Sequence, residues 1–257
     1  GSAGDAVFEL GEPGTLAGAL AGRLADEPDR PLLHGTWSGS VDGHPVWISR
    51  GEFLNSTAVV ARRLAAAGLV AGDRVLVSGP SSIDLAVAHI GCLRLGLVVV
   101  PTNGAYRDAE LSHVMADCRP SAALVDHDGW GERLVAMAPD LVVAGTAVAL
   151  PDGGPPAALD RTSPDDPAII GYTSGTTGDP KGAAHSHAPV RNTIQRMRLA
   201  GVDEGDTQMS YLPFFHIYGF SEIAMGSLAT GARQVMLETF DAGAVLDLAE
   251  SEGATML

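Results

Sequence analysis

The sequence predicts a layered α/β fold in which helices cover largely parallel sheets. Short, wholly apolar runs such as Val75-Leu76-Val77 and Val98-Val99-Val100 alternate with segments of helical length. A strand that is apolar throughout is one buried on both faces, as parallel strands under helices are. Turn signals punctuate the alternation at βα spacing. Apolar residues fill 46% of the 257 positions, enough for a sizeable core and too many for wholesale disorder.

Each element follows from its own residues. Residues 15–26 read as a helix with Leu16, Leu20 and Leu24 on one face. Residues 39–49 read as a hairpin turning at Asp42-Gly43 and ending in Val46-Trp47-Ile48. Ser49 and Glu52 have capping-box spacing, so a long helix should run from there to about Ala67. Strand 74–78, helix 82–95, strand 97–100, helix 108–117 and strand 122–125 follow. The Pro- and Gly-rich stretch 151–167 is the expected linker. Beyond it come strand 168–172, a polar loop to Ser186, helix 188–199, strand 207–211, helix 221–229, strand 233–237 and helix 242–251. The final Ala254-Thr255-Met256-Leu257 reads as a strand beginning, and the βα rhythm predicts more sheet after it. The expected division is a vector remnant and leader (1–13), a first α/β subdomain (14–150), the linker (151–167) and a second, incomplete subdomain (168–257).

Charge narrows the function classes. With 16 basic and 31 acidic residues the net charge is −15, which disfavours unaided binding to nucleic acid or an anionic membrane. The longest apolar stretch, 85–101, is interrupted by His89 and Arg94, so no membrane span is expected. No signal peptide is legible at the N-terminus. Cys92 and Cys118 read as buried free thiols of a reducing, cytoplasmic compartment. His89, His113 and His127 receive no assignment.

One loop concentrates the chemistry. Tyr172-Thr173-Ser174-Gly175-Thr176-Thr177-Gly178-Asp179-Pro180-Lys181-Gly182 follows the apolar Ala168-Ile169-Ile170-Gly171. Its glycines let backbone N–H groups turn toward a ligand, hydroxyls stand beside them, and Lys181 is the single lysine of the chain. Those are the parts of a polyphosphate cradle, with a compact ammonium suited to a crowded phosphate. The spacing is not Gly-x4-Gly-Lys-Ser/Thr, so an ordinary P-loop enzyme is disfavoured. His185-Ser186-His187 offers two metal-type ligands without a third, and Ser186 reads instead as the cap of the next helix. His216, among Phe214, Phe215 and Tyr218, has by itself the setting of a hydrogen-bonded core histidine.

The Tyr172–Gly182 loop with Ser186-His187 after it closely resembles the signature of the adenylate-forming, AMP-binding enzymes. These include acyl- and aryl-CoA synthetases, luciferases and peptide-synthetase adenylation domains. Val99-Val100-Pro101, Tyr106-Arg107, Glu110-Leu111, the run from Pro213 to Phe220 and Gly231-Ala232-Arg233 resemble further family segments. The likeness reaches from about Leu16 to the end, and implies the N-terminal part of an acyl-CoA synthetase large domain, truncated. It implies ATP-dependent activation of a carboxylic acid, fatty or aryl, through an acyl-adenylate, followed by transfer to coenzyme A. ATP, Mg2+ and coenzyme A would be required, and an acyl carrier protein is an alternative acceptor.

By the same resemblance Thr173, Ser174, Gly175, Thr176, Thr177, Gly178 and Lys181 would wrap the phosphates. Catalytic roles would fall to His216, Lys181 and Thr173. Phe215, His216, Ile217, Tyr218, Gly219 and Phe220 would approach the acyl pocket. No metal ligand is assigned. The family's adenine-binding segment, ribose-binding Asp and small C-terminal domain have no counterpart here, so the chain is expected to turn over little alone. Two other readings stay open: an ATP-dependent phosphotransferase, and a non-catalytic nucleotide-binding module.

Overall fold

The computed structural model describes residues 15–151, 158–173, 180–216, 219 and 227–257. The fold is layered α/β as expected, with two sheets. A six-stranded sheet has the order β6-β5-β3-β4-β7-β8, and a four-stranded sheet the order β2-β1-β10-β9. In the first, β3 (Arg74–Ser78), β4 (Val98–Pro101), β5 (Ala122–Val125), β6 (Val142–Ala144) and β7 (Pro167–Thr173) are parallel, and β8 (Lys181–Ser186) closes the edge antiparallel to β7. In the second, β1 (Pro31–Gly35), β10 (Arg233–Met236) and β9 (Thr207–Ser210) are parallel, and β2 (Val46–Ser49) pairs antiparallel with β1.

The helices form where their caps and apolar faces dictate. Thr15 accepts from the Gly18 amide and opens α1 (Leu16–Ala25), whose Leu20 and Leu24 are fully buried. Ser49 and Glu52 close the expected capping box on α2 (Arg50–Ala66). Ser82 caps α3 (Ile83–Leu95), buried on all sides from Leu85 to Leu93 because it packs along α2 and touches β3 and β4 of one sheet and β1 of the other. That helix is the shared layer between the sheets. The chain continues through α4 (Asp108–Cys118), α5 (Trp130–Met137), α6 (His187–Leu199), α7 (Ser227–Thr230) and α8 (Ala242–Ser251).

Several sequence expectations need correction. The hairpin near Asp42-Gly43 is real, but its first strand is β1 at Pro31–Gly35, with a long connection to β2. Helix α5 and strand β6 were not anticipated. The polar loop expected up to Ser186 contains strand β8, so α6 does not directly follow the glycine-rich segment. Ser186 occupies the N-cap of α6 but its hydroxyl makes no capping bond. The expected helix at 221–229 appears, among the described residues, as α7; residues 221–226 lie outside them, as do 1–14 and 152–157.

Both sheets draw strands from either side of the 151–167 stretch: β7 and β8 complete the sheet begun by β3–β6, and β9 and β10 the one begun by β1 and β2. Within that stretch Asp160 accepts a fork from Arg94 (Nη2 2.9 Å, Nε 3.2 Å), and its amide donates to the Arg94 carbonyl at 2.8 Å. The connection is therefore pinned to the end of α3. Met256 makes an isolated parallel bridge to Gln208 on β9, where a beginning strand is expected. Both cysteines are buried and free.

Candidate functional site

The candidate site is built on the β7–β8 hairpin. Six register pairs, from Pro167↔Ser186 to Thr173↔Lys181, zip the two strands together. Thr173 and Lys181 are thus the last pair before the mouth, both exposed, with the glycine-rich segment joining them. Of the residues expected to wrap phosphates, this pair is described; Ser174, Gly175, Thr176, Thr177 and Gly178 lie outside the described residues. Strand β7 leads into an antiparallel hairpin, so among the described residues the backbone positions of Thr173 and Lys181 are set by sheet register.

The hairpin mouth is tied down on both limbs by α4. The Tyr172 hydroxyl donates to Asp117 Oδ2 at 2.5 Å. His113 Nε2 lies 2.8 Å from the Pro180 carbonyl, which can only accept, so this nitrogen carries the proton. Burial first, and then the Asp117 carboxylate and the neighbouring Cys118, push the Tyr172 phenol above its ordinary range, so it remains a donor. Burial raises the Cys118 thiol to about 11, which leaves it protonated and unreactive. Neither His113 nor Asp117 was singled out from the sequence. Their i,i+4 spacing puts them on one helix face, a legible signal, but nothing local says which partner that face meets.

The second expected cluster follows β9. Phe214 is buried in the core edge-on to His89, ring centroids 5.9 Å apart. Phe215 is half-buried with its ring 4.6 Å from that of His216, which is exposed at a turn closed by its own amide donating to the Pro213 carbonyl (3.2 Å). Gly219 is buried so close to this turn that a Cβ there would stand 2.6 Å from the Pro213 oxygen. Gly219 and Pro213 are thus brought together beside His216. Ile217, Tyr218 and Phe220 lie outside the described residues. The structure brings Thr173 to Lys181, and Phe215 and Gly219 to the His216 turn; the two groups rise from different sheets.

Among the described residues no group of three His, Cys, Asp or Glu side chains could hold a metal ion. His185 faces Ile169 across the hairpin, whereas His187 is buried at the start of α6, its pKa lowered by burial against the pull of Asp166. No described helix is long and apolar enough to cross a membrane.

The model for AMP-binding enzymes matches residues 20–257. The chain belongs to the AMP-binding enzyme family. Its relatives among AMP-binding enzymes include a sulfoacetate–CoA ligase of Cupriavidus necator, 32% identical over 95% of this chain and 49% of that protein. A 4-coumarate–CoA ligase-like protein of Oryza sativa is 29% identical over 80% of this chain and 42% of its own length. ATP-bound MatB of Rhodopseudomonas palustris superposes with a TM-score of 0.77 at 28% identity, covering 91% of this chain and 48% of MatB. The chain spans about half the length of these relatives and aligns with the N-terminal part of the adenylate-forming fold.

Proposed function

We propose that the protein carrying this chain activates a carboxylic acid with ATP through an acyl-adenylate and passes the acyl group to coenzyme A. The observation that carries the reading is the Thr173–Lys181 pair at the mouth of the β7–β8 hairpin, within the Tyr172–Gly182 motif. Joining an anionic carboxylate to an anionic nucleotide is chiefly a problem of charge and position. An ammonium and a hydroxyl held by sheet register, exposed at one mouth, fit a polyphosphate. Lys181 would neutralise the β/γ end as the α–β phosphoanhydride breaks and pyrophosphate leaves. Thr173 and residues 174–178 would wrap the remaining phosphate oxygens, and Mg2+ would arrive with the nucleotide. His216, exposed at its turn, would face the junction of carboxylate and α-phosphate, with Phe215, Ile217, Tyr218, Gly219 and Phe220 toward the acyl group.

The acid is proposed to be aryl or fatty. Similarity to ligases named for 4-coumarate, ferulate and indoleacetate supports the aryl arm. A carrier-protein acceptor in place of coenzyme A and a cytoplasmic site of action belong to the same reading. The test is acid-dependent exchange of label between pyrophosphate and ATP, using the full reading frame and a panel of aryl and fatty acids. Exchange that needs one acid and is lost in Lys181→Ala supports adenylate formation. Production of ADP in place of AMP would point to phosphotransfer, and nucleotide binding with no turnover to a binding module.

A further inference from the structure

We propose that His113 and Asp117 on α4 are positioning residues, which hold Thr173 and Lys181 in the geometry that receives the ATP phosphates. Tyr172 is the residue before Thr173, and Pro180 the residue before Lys181. Each is tied to α4 by a hydrogen bond, Tyr172 to Asp117 at 2.5 Å and Pro180 to His113 at 2.8 Å. The two anchors are one helical turn apart, so a single rigid element fixes both limbs of the mouth.

The anchoring is built into the strands as well. Tyr172 and Gly182 are register partners, and a Cβ on Gly182 would stand 3.1 Å from Tyr172 Cζ. The absent side chain leaves the phenol ring room to lie against β8 on its way to Asp117. Strand β8 needs such help: it is an edge strand of Lys, Gly, Ala, Ala, His and Ser, with its first four residues exposed and no Val, Ile, Thr, Phe, Tyr or Trp. Its hydrogen bonds to β7 and the Pro180 anchor are what hold Lys181 in place. No atom of His113 or Asp117 need touch the nucleotide for this role.

The inference rests on the phosphate-binding reading of Lys181 and deepens it. Freeing one limb lets the mouth leave its register for part of the time, and apparent affinity for the nucleotide falls by that fraction. Loss of one hydrogen bond corresponds to a rise of roughly 3- to 10-fold in KM for MgATP. The experiment measures pyrophosphate exchange by the full reading frame with His113→Ala, Tyr172→Phe and His113→Gln. Both anchor-breaking variants are expected to raise KM for MgATP while KM for the acid stays put, and His113→Gln, which keeps an N–H donor, to recover most of the loss. MgATP KM within about twofold of wild type in both variants, or acid KM rising in parallel, overturns the inference. Lys181→Ala is the control: if it abolishes exchange while the anchor variants change nothing, the positioning role alone fails. If Lys181→Ala leaves exchange intact, the phosphate reading fails and takes this inference with it.

Discussion

Tyr172 and Gly182 face each other across the β7–β8 hairpin, and the phenol ring of Tyr172 lies against the open face of Gly182, 3.1 Å from where a Cβ would stand. They are the first and last residues of the glycine-rich motif. The motif therefore also sets the register of its own flanking strands. Its ends form a cross-strand pair in which a missing Cβ lets an aromatic residue reach Asp117 on α4. Local composition, sheet register and tertiary anchoring meet at one position.

Gly182→Ala should cost stability by crowding. Its Cβ would lie 3.0 Å from Ile170 Cγ2 and 3.1 Å from Tyr172 Cζ, so both side chains must give way. On this exposed edge strand the crowding is set against the roughly 0.5–1 kcal/mol a strand gains when Gly becomes Ala, so the net cost should stay below about 1 kcal/mol, read from the urea midpoint. If the cost acts through the phenol, Gly182→Ala and Tyr172→Phe will not add, because either one already loosens the same bond. Strict additivity in the double variant would mean the clash is relieved elsewhere.

Much of this architecture was legible because local signals agreed with the global fold. Strands β3 and β5 and helix α8 fall at their expected bounds, and the Ser49–Glu52 box and the Ser82 cap open helices as their residue types demand. What escaped notice lacks a local signal. Strand β1 is five residues beginning at a proline, held by β10 some two hundred positions later. Strand β8 has no intrinsic preference for its conformation and exists by pairing. At the site, Lys181 stood out as the single lysine inside a glycine-rich run, whereas His113 and Asp117 look like ordinary polar residues on an amphipathic helix. Only the packing of α4 on the hairpin reveals them.

Arg50 is expected to be among the costliest side chains to remove. It is fully buried at the first position of α2, where the helix dipole disfavours a cation. Its Nη1 donates to the Asp26 carbonyl (3.1 Å) and Nη2 to the Gly231 carbonyl (3.2 Å), joining α2 to the approach to β10. Burial, then the Arg30 and Arg23 charges, lower its pKa, while Glu27 and Glu204 pull it back. Arg50→Met keeps the volume but strands both carbonyls and should cost about 3 kcal/mol by chemical denaturation. Glu204→Gln should cost less, about 1 kcal/mol, since that carboxylate is 44% exposed and solvent screens it. The reverse ranking would show that charge balance, not the two carbonyl bonds, dominates this cluster.

Acid should loosen the protein through His89 before it reaches the carboxylates. This imidazole is buried under the His216 turn, edge-on to Phe214, with Nδ1 donating to the Leu85 carbonyl at 2.7 Å. Burial lowers its pKa from 6.5 to about 4, although the Leu85 carbonyl pulls the other way. Between those two values the unfolded chain binds the proton and the folded chain does not, so stability rises with pH across that window. The contribution is fully present above pH 6.5 and is lost progressively as pH falls toward 4. By about pH 5 the loss is on the order of 2 kcal/mol. His89→Gln keeps a donor for Leu85 without a titrating ring, so it should flatten most of the slope in urea midpoints between about pH 7.5 and pH 5. Some slope should survive, because the pKa of His187 is lowered by burial in the same sense. An unchanged slope in His89→Gln would assign the acid sensitivity to other groups. A flattened one would make the core beneath the His216 turn the first part of the protein to yield to protons.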